Sequence, residues 1–194
     1  MSEEHKEQAA GYRAHCAGLT VSDTRTKETD KSGNLIQKLL REAGHEVCDY
    51  QLVKDNPSEI EEQILEWLSS SKMPKFSMEL DENGNHGGVR RDQQQKINVI
   101  VTTGGTGVSR RDKTVEVVGR MLDKELEGFG ELFRMLSYQE IGSAAMLSRA
   151  VAGLASSGGH ETFIFAVPGS ANAAKLAMER LIVPELPHLL WERR

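Results

Sequence analysis

The chain predicts an α/β fold, a three-layer sandwich in which a mainly parallel central sheet is covered by helices on both faces. Two observations carry this reading. Short apolar or β-branched runs at 16–21, 45–53, 97–101 and 162–167 alternate with stretches whose apolar residues recur at helical spacing. These runs give way to short polar or glycine-bearing junctions before the next helical stretch, as in sheets whose parallel strands are joined by crossover helices. At 194 residues the chain suits one domain with a sizeable core.

In chain order, residues 1–14 are polar and read as a flexible N-terminal arm, and 15–194 as a single domain. The first strand, 16–21, ends at Ser22-Asp23. Ile36, Leu39, Leu40 and Ala43 mark a helix closed by Gly44. After the strand at 45–53, Asn56-Pro57 supplies an N-cap and a proline at the first helical position, Glu59 completes a box-like start, and Ile60, Ile64, Trp67 and Leu68 form the buried stripe. The pattern then lapses. Gly84, Gly87, Gly88 and glutamines at 93–95 predict a surface-loop insertion at 71–95. Val115, Val118 and Leu122 mark a further helix, and 129–136 another. The strand at 162–167 runs into Pro168-Gly169-Ser170, after which Ala173, Leu176, Ala177 and Leu181 begin a helix and 184–191 reads as a docked terminal turn or helix.

Chemistry concentrates in the run Thr102-Thr103-Gly104-Gly105-Thr106-Gly107, which follows a β-branched strand and leads to Arg111-Asp112. Glycines let consecutive N–H groups turn toward one anion, and threonine hydroxyls add donors, so the run has the composition of a phosphate cradle. Spacing excludes two familiar versions. A dinucleotide fingerprint read from Gly105 and Gly107 meets Arg110 where the third glycine belongs, and no Gly-Lys-Ser/Thr tripeptide exists for a P-loop. The plainer reading is a tight turn with Asp112 as N-cap.

Asp23, Asp55 and Asp112 all fall at strand-to-helix junctions, which share one edge of such a sheet. Two carboxylates beside a triphosphate suit magnesium, which takes carboxylate, water and phosphate oxygens; each is otherwise a helix cap or loop residue. Ser170 either caps its own helix or donates to an anion there. His45, His86 and His188 lack ligand spacing. Cys16 and Cys48, in or beside strands, read as buried thiols rather than a disulfide or a metal pair. A net charge of −5 argues against non-specific nucleic-acid binding. No signal-like or membrane-length apolar run occurs, which predicts a cytoplasmic protein without a membrane partner.

Taken in order, the glycine loop with Arg111-Asp112, Val21-Ser22-Asp23 with Asp30-Lys31-Ser32-Gly33, the run from Gly128-Phe129-Gly130 to Met135-Leu136-Ser137, the stretch Ala145-Met146-Leu147-Ser148-Arg149 and the turn Pro168-Gly169-Ser170 resemble the molybdopterin adenylyltransferase family. The resemblance is closer to its MoaB-type than to its MogA-type branch, and covers about 17–190 without 71–95. It implies the molybdopterin-binding fold, assembly as a homotrimer or homohexamer, and a place in molybdenum cofactor biosynthesis. The implied reaction moves AMP from Mg-ATP to molybdopterin and releases pyrophosphate. Asp55 and Asp112 match the family's catalytic and magnesium-linked carboxylates. Thr103, Thr106, Ser137, Ser148 and Ser170 match pterin or phosphate positions, Gly104, Gly105 and Gly107 the cradle, and Asp23 a neighbour. Other molybdenum-cofactor biosynthesis proteins are implied as partners. The competing reading is a non-catalytic molybdopterin-binding or assembly protein of the same fold. The sequence departs from the pattern at Val115 and Ala171, where the family has proline, and in the insertion, whose Arg90-Arg91 pair reads as part of a solvated loop or, alternatively, as reaching a phosphate or a partner subunit.

Overall fold

The computed structural model describes residues 11–69 and 96–193. The insertion at 71–95, including His86 and Arg90-Arg91, and most of the N-terminal arm lie outside the described residues. Six strands, β1 (His15–Val21), β2 (Glu46–Val53), β3 (Val99–Thr103), β4 (Lys124–Glu125), β5 (Val151–Ser157) and β6 (His160–Val167), form one sheet in the order β2-β1-β3-β6-β5-β4. The pairs β2–β1, β1–β3 and β3–β6 are parallel, whereas β6–β5 and β5–β4 are antiparallel.

Helices cover both faces, as the sequence predicts. On one face, α1 (Lys31–Glu42), α4 (Glu127–Ile141), α5 (Ala171–Ala177) and α6 (Val183–Glu192) bury Ile36, Leu40, Phe129, Phe133, Ala174 and Leu186 against Val101, Phe163 and Phe165. On the other, α2 (Pro57–Ser69) and α3 (Thr114–Met121) bury Ile60, Ile64, Trp67, Val117 and Val118 against Leu19, Ile100 and Ile164. Along β6 the residues alternate between the two clusters, as the two-residue period of a strand dictates when both faces are buried.

Local chemistry sets the boundaries. Asp30 caps α1 by accepting from the Gly33 N–H at 3.0 Å. Asn56 Oδ1 accepts from the Ser58 N–H at 2.9 Å, so the expected cap of α2 forms, while Glu59 reaches the Lys54 N–H instead of Asn56. His45 is a structural histidine: it is 6 % exposed, and its Nδ1 accepts from the Ala14 N–H. Cys16 is buried and Cys48 half-buried.

Two features depart from the sequence reading. The hairpin partner β5 stands at Val151–Ser157, a segment rich in alanine, glycine and serine that carries little strand propensity; Gly158 and Gly159 turn it back into β6 with φ of 57° and 78°. The helix after the glycine loop begins with Lys113 as N-cap and no side-chain cap bond, so Asp112 is not its cap. Among the described residues no helix is long and apolar enough to cross a membrane.

Phe133 is fully buried, 6.5 Å from the Phe129 ring, which in turn meets Phe165 edge-on at 5.4 Å. Phe133→Ala is expected to lower unfolding free energy by about 3–5 kcal/mol, measured by denaturant titration.

Candidate functional site

The glycine loop leaves β3 at the point where three parallel strands end together. Thr103 Oγ1 donates to the Pro168 carbonyl at 3.0 Å and the Gly104 N–H donates to the Val167 carbonyl at 3.2 Å, which ties the loop to the end of β6. Gly104 has φ 98°, and a Cβ there would lie 2.2 Å from the Val21 carbonyl oxygen. Gly105 has φ 61°, with Thr114 Oγ1 2.3 Å and Asp55 Oδ1 3.0 Å from the position its Cβ would take. Only glycine fits both positions. Thr103 and Gly104 therefore use their donors within the protein, and a cradle at this loop is left to the amides from Gly105 onward.

The three aspartates of the strand-to-helix junctions come together over this loop. Asp23 Oδ1 accepts from the Asp55 N–H at 3.1 Å, and Asp23 Oδ2 faces Arg111 at 3.7 Å. Asp112 Oδ2 accepts from the Ser109 N–H at 2.8 Å and lies 2.7 Å from where a Cβ on Gly107 would stand. Burial, then the charges of Asp112 and Asp23, push the Asp55 carboxyl above its usual range, with Arg111 opposing. Asp55 Oδ1 and Thr114 Oγ1 are buried without a hydrogen-bond partner, and both border Gly105. Two unpaired buried oxygens beside a group of carboxylates have the chemistry that a hard divalent cation prefers, and Asp55, Asp112 and Thr114 are the residues that could hold one.

Two arginines that the sequence reading left without a role hold this arrangement. Arg149 donates from Nε to the Thr106 carbonyl at 2.9 Å and pairs with Glu116 through both terminal nitrogens at 2.7 and 3.1 Å. It thereby fixes the loop to α3. Arg25 donates to Ser32 Oγ at 2.7 Å and to the Gly169 carbonyl at 2.8 Å, and faces Asp30. Asp30 is fully buried; burial opposes its charge, yet bonds from Thr20, Tyr50, Gly33 and Ser32 hold its carboxyl below the usual range. Burial and the bond to Asp30 push the Tyr50 hydroxyl up to about 12. The roles of Thr114, Arg25 and Arg149 leave no local mark in the sequence, because the groups around them come from distant segments.

The serines divide. Ser170 Oγ accepts from the Ala173 N–H at 3.1 Å, so it caps α5 while its side chain stays exposed beside the Gly169 turn that Arg25 grips. Ser148 is half-buried, next to Arg149. Ser137 is 4 % exposed and continues the buried stripe of Phe129 and Phe133 on α4.

A family model described as "probable molybdopterin binding domain" matches residues 17–73 and 81–188. The chain belongs to this family. It is 44% identical over 190 residues to molybdenum cofactor biosynthesis protein B of Bacillus cereus, covering 97% of this chain and 95% of that one. A crystal structure of a molybdenum cofactor biosynthesis protein B superposes with a TM-score of 0.75 at 41% identity, covering 94% of this chain and 98% of that one. The tungsten cofactor synthesizing protein MoaB of Pyrococcus furiosus does so with a TM-score of 0.72 at 33% identity, over 93% and 96% of the two chains. The fold is thus that of the MoaB and MogA proteins, and the relatives bear out the MoaB-type resemblance.

Because the fold raises the Asp55 pKa, its stabilising contribution is complete below the ordinary carboxylate pKa of about 4 and is lost as pH rises through the folded value. Asp55→Asn should therefore gain stability relative to the cation-free parent as pH rises from about 4 toward 7. Denaturant unfolding at several pH values checks this; a constant difference would show that Asp55 is not strained by its neighbours.

Proposed function

We propose that this protein transfers AMP from ATP to the terminal phosphate of molybdopterin, releasing pyrophosphate. The observation that carries the reading is the meeting of Asp23, Asp55 and Asp112 over the glycine loop, with Asp55 Oδ1 and Thr114 Oγ1 unpaired. A phosphate-monoester oxygen of the pterin attacks the α-phosphorus of ATP, a P–O bond forms there, and the bond from that phosphorus to the bridging oxygen of pyrophosphate breaks. The nucleophile is already ionised, so the protein needs no strong base. Its task is to align two polyanions and offset their repulsion.

The loop amides from Gly105 to Gly107 suit a phosphate, and Arg111, 72% exposed at its side chain, is placed to meet a second one. Asp55 and Asp112 suit magnesium, which when bound supplies positive charge to the triphosphate and the leaving pyrophosphate. Ser148 and Ser170 are the candidates for pterin contacts, with the Arg25–Gly169 bond fixing the turn that presents Ser170. Ser137, being buried, serves a pterin only if α4 lies against it.

The oligomer implied by the family resemblance has a suitable surface. Leu132, Met135, Tyr138 and Ile141 on α4 and Met146 and Leu147 on the following 3-10 turn are 47–79% exposed, a band of large apolar side chains suited to further copies of the chain. We infer a homotrimer or a pair of trimers closed through this band.

The direct test incubates the protein with molybdopterin, magnesium and ATP and follows adenylyl-molybdopterin and pyrophosphate by mass. Product is expected from the parent, with Asp112→Ala slower by at least about a hundredfold and with pterin binding retained. Tight pterin binding without product from the parent would assign the non-catalytic role. In sedimentation the parent should run as a trimer or hexamer and Met135→Glu as smaller species; a monomeric parent at working concentration would remove the oligomer.

A further inference from the structure

We propose that His15, Glu46 and Cys48 bind a zinc-class divalent cation at the end of the sheet opposite the glycine loop. β1 and β2 run parallel, and their register sets His15 against Glu46, which places both side chains on the same face. The register then slips: Cys16 pairs with Val47 and Ala17 with Asp49, so Cys48 is the extra residue of a bulge on an edge strand. Bulges are rare between parallel strands, and one use of a bulge is to re-aim a side chain. Here it turns Cys48 and Asp49 to one face. Cys48 packs against the cluster under α2, and Asp49 Oδ2 accepts from Trp67 Nε1 of α2 at 3.0 Å.

The consequence is a trio of unlike donors. His15 Nδ1, a Glu46 carboxylate oxygen and Cys48 Sγ lie within 4.8 Å of one another. His15 Nδ1 is buried from solvent, makes no hydrogen bond and faces Glu46 Oε2 at 3.3 Å. Its backbone is fixed as well, since the His15 N–H donates to Asn98 Oδ1 at 2.9 Å and its carbonyl accepts from the Asn98 N–H at 3.0 Å. Asp49 stays out of the set because Oδ1 takes the Tyr50 N–H and Gln51 Nε2 while Oδ2 holds Trp67.

A nitrogen, an oxygen and a sulfur donor select zinc and its neighbours, and disfavour magnesium and calcium, which prefer oxygen alone. Three protein ligands leave one tetrahedral position for water, and the half-exposed Glu46 keeps the site open to solvent. On binding, the Cys48 thiol releases its proton to solvent and the imidazole binds neutral. The site lies roughly 20 Å from the glycine loop, the length of β1, so it stands independently of the proposed transfer reaction. Its mechanical effect is to pin the start of the edge strand to the start of β1.

The test titrates the full chain, reduced and metal-free, with Co2+ and then Zn2+. The expected result is a thiolate-to-cobalt charge-transfer band that saturates at one Co2+ per chain and is lost on adding Zn2+. The aspartates at the glycine loop carry no thiol and give no such band. Cys48→Ser should abolish it, His15→Gln and the surface variant Glu46→Gln should weaken Co2+ binding by at least about tenfold, and Cys16→Ala should leave the band in place. Circular dichroism confirms that each variant is folded. Absence of the band from the parent, its survival in Cys48→Ser, or unchanged affinity in Glu46→Gln would each overturn the site.

Discussion

Everything at the candidate site depends on one close approach of backbone to backbone. Gly104 lies against the end of β1, where a Cβ would sit 2.2 Å from the Val21 carbonyl oxygen, and against Gly169, whose own Cβ would lie 3.1 Å from the Gly104 Cα. Two turns from different strands can meet this closely only because neither carries a side chain. Their meeting brings the ends of β1, β3 and β6 to one point. The helices that follow those strands, and the one that follows β2 beside β1, then start around a common space, and the junction aspartates come with them.

That convergence has an electrostatic cost. Asp55 sits partly buried beside Asp112 and Asp23, and one exposed arginine offsets only part of the repulsion. A protein selected for stability alone would separate these charges or pair them fully; here the imbalance is held in place by Arg149 on the loop and by Arg25 and Asp30 on the neighbouring turn. The Asp30 network resolves the opposite problem. A fully buried carboxylate is tolerated because Thr20, Tyr50, Ser32 and Gly33 all donate to it, and that satisfied centre anchors the loop after β1. One buried carboxylate is kept charged by its hydrogen bonds, while the other, partly buried, faces like charges with one oxygen unpaired.

Much of this was legible in the sequence where a local rule decides the outcome. The α2 stripe of Ile60, Ile64, Trp67 and Leu68 is buried as its spacing dictates, Asn56 caps the helix, and Gly44 takes the positive φ expected of a helix-closing glycine. The clustering of Asp23 and Asp55 followed from topology, because parallel strands deliver their junctions to one edge. Strand β5 was missed because alanine and glycine give a weak strand signal, although Gly158-Gly159 between two apolar runs is a hairpin signature. The roles of Arg25 and Arg149 were not legible, since each is defined by a partner far along the chain, Gly169 and Thr106 respectively, and Thr114 comes near Asp55 only through the fold, where both border Gly105. The bulge at Cys48 is likewise a property of pairing and leaves no local mark.

The measurement that bears most directly on the convergence of carboxylates is Mn2+ binding in the presence of a non-hydrolysable ATP analogue, with free Mn2+ read by electron paramagnetic resonance. The parent and a folded Asp55→Asn, Asp112→Asn double variant are titrated side by side. The expected result is a saturable Mn2+–nucleotide site in the parent that weakens by more than about tenfold in the double variant. Equal binding by the two proteins would contradict the assignment of these aspartates to a metal–nucleotide site.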